Sequence, residues 1–334
     1  MIKGKRILLL APSFFDYEQE IMAQLSKLDY CVQFINTSPS RIEGIVYGVF
    51  TKLSTGNRYV AKRIENRIRR KIGENTYDII IVISSWAVTS RLTTILRSKH
   101  LNKSGRMVLY YWDSLKRLKD DTSRWRDFDR IFTFDSLDSR EHSDKMVFLP
   151  LFYCDRYWHN SVEEETNDVT VIGSFRLDRL AFVRNIIESN PGLTINSYLY
   201  ESKAVFILHK LFRRKYRNIN SSELKFEKLD INEVVRMYLN SRAVLDIPAY
   251  GQTGLTIRTI EALAMHKKLI TSNIDIVNYD FYNPEDIFVI KEDLLKLPEK
   301  RWFARSFSIN DAIIEKYSIR EWVSTLLCNS PLGS

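Results

Sequence analysis

Short apolar runs alternate along this chain with longer stretches of helical period. Runs at residues 6–11, 32–36, 78–84, 107–112, 130–134 and 146–149 are rich in Ile, Val, Leu and Phe and end in polar or turn-forming residues. Runs of that length and composition predict buried strands. Residues 160–167 (NSVEEETN) are polar, acidic and without apolar periodicity, and read as a linker. The alternation then restarts, with strands expected at 169–173, 194–199, 225–229, 243–247, 268–271 and 287–289. Strand–helix alternation builds parallel sheets covered by helices. The pattern therefore predicts an α/β protein of two successive units, residues 1–155 and 168–308. A helical segment over 309–327 belongs to a tail, 309–330, that can cross back onto the first unit. Ligands of such sheets bind outside the carboxyl ends of the strands, and here also in a cleft between the units.

Length agrees: 334 residues suit two domains, at about 150 each. The apolar start, Ile7 to Ala11, is too short for a signal peptide and is ended by Pro12. The longest apolar run stops at Ser84 and Ser85, far short of the ~20 residues a membrane span needs. Cys31, Cys154 and Cys328 are odd in number and far apart. They suggest a reducing, cytoplasmic compartment and no structural zinc.

Net charge is +9 and partly clustered. In residues 58–71 (RYVAKRIENRIRRK), Val60, Ile64 and Ile68 share a face among Lys62, Arg63, Arg67, Arg69, Arg70 and Lys71, a basic amphipathic helix. Residues 210–217 (KLFRRKYR) form a second basic patch. Either can lie on an anionic membrane, where each charge is worth ~1 kcal/mol. A solvated helix face explains the same residues equally well. Nucleic acid is disfavoured, since zinc-finger spacing and helix-turn-helix pattern are both lacking.

The densest candidate chemistry lies in residues 243–273 (AVLDIPAYGQTGLTIRTIEALAMHKKLITSN), a strand, a turn-rich loop, a helix and a second strand. Tyr250, Gln252, Thr253 and Thr256 gather where a helix exposes its first free N–H groups. Such an end attracts phosphate. Gly254, Arg258 and Glu261 follow at i, i+4 and i+7, one helical stripe. A cation near the phosphates and a carboxylate further along suit a nucleotide diphosphate and its ribose. A capped surface helix with an Arg258–Glu261 ion pair fits the same residues.

Further candidates close other predicted strands. Asp16 and Glu18 follow the first strand among aromatics and can serve as general base, or Asp16 can cap the next helix. Ser174 and Arg176, in a Gly-Ser-Phe-Arg turn, suit a phosphate, or Arg176 can pair with Asp178. Trp112, Asp113 and Asp135 are acceptor-site candidates, with core packing and helix capping as the plainer readings. Asp127 and Asp129 form an Asp-x-Asp that precedes a strand, and read as a solvated turn. A glycine-rich dinucleotide turn, a Walker loop, a Gly-x-Ser-x-Gly elbow and metal-ligand histidine spacing are all absent from the sequence.

Residues 253–263 and 268–271 resemble the Thr-Gly-Leu-Thr-x-Arg-Thr-Ile-Glu-Ala-Leu helix and Lys-Leu-Ile-Thr strand of GT-B glycosyltransferases of bacterial lipopolysaccharide and capsule biosynthesis. The resemblance is close over about thirty residues and looser at 111–114, 134–135, 173–176 and 279–284. It implies two Rossmann-like, doubly wound domains facing a central cleft, with the acceptor on the first and a nucleotide sugar, UDP-sugar favoured, on the second. Glu261 would bind the ribose, Thr253, Gly254 and Thr256 the diphosphate, and Arg176 would neutralise the leaving group without a metal or other cofactor. Many retaining members carry a Glu eight positions before the ribose Glu, where this chain has Thr253. That departure points to inversion, with a first-domain carboxylate, Asp16 first, as base. A lipid-linked glycan acceptor at the inner face of the cytoplasmic membrane would accommodate the basic patches. The alternatives are an epimerase or hydrolase of the same fold, or a non-catalytic membrane- or nucleic-acid-binding protein.

Overall fold

The computed structural model describes residues 4–40, 54–83, 87–118, 122–158, 164–249, 251–291 and 295–328. Two compact units divide the chain, residues 1–151 with 319–334, and residues 152–318.

The first unit is built on six parallel strands: β1 (Arg6–Ala11), β2 (Cys31–Asn36), β3 (Tyr77–Ile83), β4 (Leu101–Tyr111), β5 (Arg130–Thr133) and β6 (Met146–Phe148), in the order β2-β1-β3-β4-β5-β6. β1 and β3 are apolar on both faces because helices cover both faces of a parallel sheet. On one face, Leu8, Leu10, Ile80 and Val82 pack with Val60, Ile64 and Ile68 of α2 (Ser54–Ile72), after α1 (Tyr17–Lys27), and with Leu92 of α3 (Ser90–Ile95). The apolar stripe of the basic helix therefore faces its own sheet. α4 (Ser136–Glu141) links β5 to β6.

The second unit carries β7 (Asn167–Ser174), α5 (Leu177–Ser189), β8 (Ile195–Tyr200), α6 (Lys203–Phe212), α7 (Ile231–Leu239), β9 (Ser241–Asp246), α8 (Ile257–Ala264), β10 (Lys268–Thr271) and β11 (Ile287–Val289). Its five parallel strands run β11-β10-β9-β7-β8. In both sheets the first strand lies between the second and the third. The winding reverses there, between β1 and β3 and between β7 and β9, and loops diverge to leave a crevice at the carboxyl ends. Both units are thus Rossmann-like.

The last helix, α9 (Ile319–Leu327), belongs to the first unit, with Trp322 edge-on to Tyr110 at 4.8 Å. Arg106 and Arg130 donate to the carbonyls of Leu327 and Cys328, where cations complement a helix C-terminus.

Three expectations are corrected. Residues 225–229 form no strand: Lys225 makes a single bridge to Tyr200, while Phe226 turns inward onto Phe206. The 309–327 helix is interrupted, because Ser318 is extended (ψ 153°) between a 3-10 turn and α9. Asp127 is buried instead of solvated, accepting from Thr93 at 2.5 Å, while Asp129 accepts from Met107 N at 2.7 Å and pairs with Arg97.

Candidate functional site

The crevice between β7 and β9 is assembled from residues far apart in sequence. β7 ends in Gly173-Ser174 and α5 begins after Arg176. A Cβ at Gly173 would stand 2.7 Å from Arg179 Nη1, so glycine there leaves room for Arg179 to fold back over the strand end. Arg179 donates to the Ser174 carbonyl at 2.7 Å and to the Ile247 carbonyl at 2.7 Å, tying the ends of β7 and β9 together. Arg176 donates to the Pro248 carbonyl at 3.0 Å and forms a two-toothed pair with Asp178 at 3.1 and 2.7 Å. From α8, Arg258 reaches back to 3.7 Å from Asp246 Oδ1.

Asp246 closes β9 and is 2% exposed. Its Oδ2 accepts from the hydroxyls of Thr256 at 2.8 Å and Thr259 at 3.2 Å, while Oδ1 has no hydrogen-bond partner. Thr256 is the N-cap of α8, yet its side chain makes no capping bond; its hydroxyl donates to Asp246. The first-turn N–H groups thus receive no side-chain cap from Thr256, and that is the condition in which a helix end accepts an anion.

Burial first, then repulsion from Arg258 and Arg176, pushes Arg179 down to about 9. The attraction of Asp246 and Asp178 ranks behind that repulsion. An anion among the three guanidinium groups would relieve it.

The 248–254 loop is pinned from two sides. Gly251 takes a left-handed φ of 74°, Gln252 donates to the Gly254 carbonyl at 2.8 Å, and Asn273, just past β10, donates to the Thr253 carbonyl at 2.9 Å. Gly254 precedes the N-cap and so falls off the helical stripe expected for it. Tyr250 lies outside the described residues.

Glu261 is 2% exposed, beneath the surface, where Tyr157 hydrogen-bonds its carboxylate. Burial and the nearby carboxylate push the Tyr157 and Tyr238 phenols up. A ribose hydroxyl would have to share this carboxylate with Tyr157.

In the first unit, Asp16 is exposed in the left-handed region (φ 62°) and makes no capping bond. Phe14 and Phe15, expected to enclose it, are themselves exposed. Glu18 is buried instead, accepting from the Ser13 hydroxyl and from Phe14 N at 3.1 Å. Trp112 is half-buried and tilted on Phe14 at 6.2 Å, which brings the 13–18 and 112–114 loops together. Asp113 pairs with Arg117 at 3.3 Å, and burial pushes its carboxyl up. Asp135 is buried and caps α4, accepting from Leu137 N and Asp138 N. Its carboxylate, expected as an acceptor-site candidate, is thus engaged in capping.

Sequence reasoning missed Asp246, Arg179, Asn273 and Tyr157. An aspartate closing the apolar run Ala243–Leu245 was the available signal for Asp246. The others have no local signature. Among the described residues no three His, Cys, Asp or Glu side chains gather as a metal site would require.

No family model matches the chain, and no curated protein matches it. Solved structures do. Anabaena HepE, solved with UDP and glucose, is 11% identical with a TM-score of 0.59, covering 97% of this chain and 98% of its own. Sucrose-phosphate synthase from Thermosynechococcus elongatus is 11% identical at 0.56, covering 96% and 94%. The fold is that of the GT-B glycosyltransferases. It is shared by UDP-GlcNAc 2-epimerase from Neisseria meningitidis, solved with UDP-GlcNAc, 10% identical at 0.56 over 96% and 98%.

Proposed function

We propose that the chain is a glycosyltransferase that holds a nucleotide-diphosphate sugar, UDP-sugar favoured, on its second unit and transfers the sugar to a glycan. The observation that carries this reading is the gathering of Arg176, Arg179 and Arg258 past the ends of β7 and β9, at the point where the second sheet reverses and beside the first turn of α8. A switch point is where doubly wound sheets take ligands. Mutually repelling cations there favour a ligand with more than one negative charge.

The chemistry would be inverting. A base takes the acceptor hydroxyl proton, the oxygen attacks the anomeric carbon, and the bond from that carbon to the diphosphate breaks. Arg176 and Arg258 would take up the charge of the departing diphosphate, with no divalent cation required. Asp16, exposed at the end of β1, is the favoured base, with Glu18 second. The acceptor would be a lipid-linked glycan of bacterial lipopolysaccharide or capsule, met at the inner face of the cytoplasmic membrane. Among the described residues no helix is long and apolar enough to cross a membrane.

A thermal-shift screen of UDP, GDP, CMP and dTDP sugars tests the donor claim, since a ligand of the native state raises the melting temperature. No shift with any of them would remove the proposal and favour a non-catalytic binding protein. The epimerase among the structures of this fold supports a second reading. Conversion or hydrolysis of donor incubated without acceptor would favour it.

A further inference from the structure

The two basic stretches that look alike in sequence differ in how they are built. α2 turns Val60, Ile64 and Ile68 onto its own sheet. α6 does the reverse. Only Phe206 is buried on it, packed against Phe226 at 5.5 Å with Lys210 Nζ 5.4 Å from its ring centre. Ala204 is exposed, and so are Val205 (38%), Ile207 (50%), Leu208 (54%), Leu211 (66%) and Phe212 (78%). Helical geometry places these six side chains on one continuous arc of roughly 160°. A surface helix normally turns its apolar stripe inward and its charges outward. This one is fastened along a narrow edge and offers its apolar arc to the surroundings.

Charge decides what covers it. From Lys203 to Asn220 the chain has six Lys and Arg and no Asp or Glu. Lys203 stands at one end of the helix, and Arg213, Arg214, Lys215 and Arg217 stand exposed just past the other. An apolar arc bracketed by cations matches the layering of an anionic lipid surface, with acyl chains below the headgroup level and phosphates at it. We propose that α6 and the residues after it, through Arg217, are a monotopic membrane anchor that seats Leu208, Leu211 and Phe212 at the acyl boundary of a bilayer rich in anionic lipid. This deepens the reading of a lipid-borne acceptor, and it gives the second unit its own hold on the membrane.

The test is flotation of the full chain with vesicles of phosphatidylcholine, alone or mixed with phosphatidylglycerol, without nucleotide sugar. Failure here would therefore leave the donor thermal shifts standing. The chain should float with the mixed vesicles and not with the neutral ones. Neutralising Arg213, Arg214 and Lys215 to Gln should weaken partition by about a hundredfold, at about fivefold per cation. The Leu211→Ser/Phe212→Ser variant should lose more than about tenfold. Both sites are highly exposed, so its melting temperature should match the parent's. Absence of flotation with mixed vesicles, equal flotation with neutral ones, or flotation unaffected by either variant would overturn the proposal. A concentration-dependent dimer that Leu211→Ser/Phe212→Ser abolishes, with no flotation, would overturn it in favour of a second copy of this chain.

Discussion

Replacing Arg258 with Ala isolates the electrostatic claim at the second-unit site. The side chain is 22% exposed and 3.7 Å from Asp246, and Ala suits the first turn of α8. A hydrogen bond to a charged group contributes ~1.5–3 kcal/mol. Partial exposure and salt screening reduce that here to about 1–2 kcal/mol. The expected loss of UDP affinity is then ~5–30-fold. Parent protein at a UDP concentration near 100 Kd gains ~2.7 kcal/mol, and a tenfold weaker variant keeps about half of it. For a unit of this size each kcal/mol moves the melting temperature by ~2–4 °C. A parent shift of ~5–10 °C should therefore halve in the variant. The ligand-free protein should change little, because two effects oppose each other. Arg179 loses its main cationic repulsion, while Asp246 loses a nearby cation. Arg258→Lys should recover only part of the affinity, since a point charge lacks the guanidinium fork. Equal UDP-induced shifts in parent and Arg258→Ala protein would refute the placement of the diphosphate beside these arginines.

Gly173→Ala sets a methyl 2.7 Å from Arg179 Nη1 and should expel that side chain from its bonds to Ser174 and Ile247. Calorimetry should show a loss of ~1–3 kcal/mol of stability together with weaker UDP binding. Asp16→Ala should abolish sugar transfer while leaving nucleotide binding intact, and full transfer activity would end its assignment as base. Glu18→Ala should instead lower the melting temperature, because its carboxylate holds Phe14 N and the Ser13 hydroxyl. Burial raises Asp138 from 3.8 to about 6, with Leu115 N–H opposing, Asp135 and Glu141 adding to it and His142 opposing. Between those values the fold holds a proton that the unfolded chain has released, so this group's stabilisation is present below pH 3.8 and lost as pH rises through 6. Asp138→Asn keeps an oxygen for Leu115 N–H and should stabilise by ~1–3 kcal/mol at pH 7.5 and not near pH 3.5 in thermal melts.

Strand positions were legible because a parallel strand covered on both faces is apolar over most of its length. The run at 6–11 and the Lys268–Thr271 and Ile287–Val289 runs coincide with β1, β10 and β11. Residues 225–229 show where that signal fails. Lys225, Phe226 and Glu227 alternate as a half-buried edge strand would, and Phe226 does turn inward. Pairing is decided by the partner, and beyond β8 only Lys225 finds it. The site divides in the same way. Arg176, Thr256 and Arg258 could be found because each sits at the end of a recognisable element. Arg179 and Asn273 could not, since what defines them are carbonyls of Ile247 and Thr253, contributed by a separate crossover.

Asp246 offsets part of the mutual repulsion of three cations before any ligand arrives. Removing a carboxylate from a buried charged network typically costs ~3–5 kcal/mol, because the cations left behind have no compensation. Full neutralisation would have the opposite defect, since a site whose charges are already matched has nothing to gain from a phosphate. Asp246 stands between these limits. Its Oδ2 accepts from two threonine hydroxyls, including that of Thr256, which makes no capping bond to α8, and its Oδ1 faces Arg258 without a hydrogen bond. Backbone carbonyls hold Arg176 and Arg179, and the one carboxylate beside Arg258 offsets part of the repulsion while still leaving Arg179 more repelled than attracted. Asp246→Asn separates the two roles. The amide oxygen can still accept from Thr256, so the loop should persist. Losing the negative charge should lower ligand-free stability and increase the stabilisation that UDP confers. If UDP stabilised Asp246→Asn less than the parent, the carboxylate would be part of the ligand contact instead of its organiser.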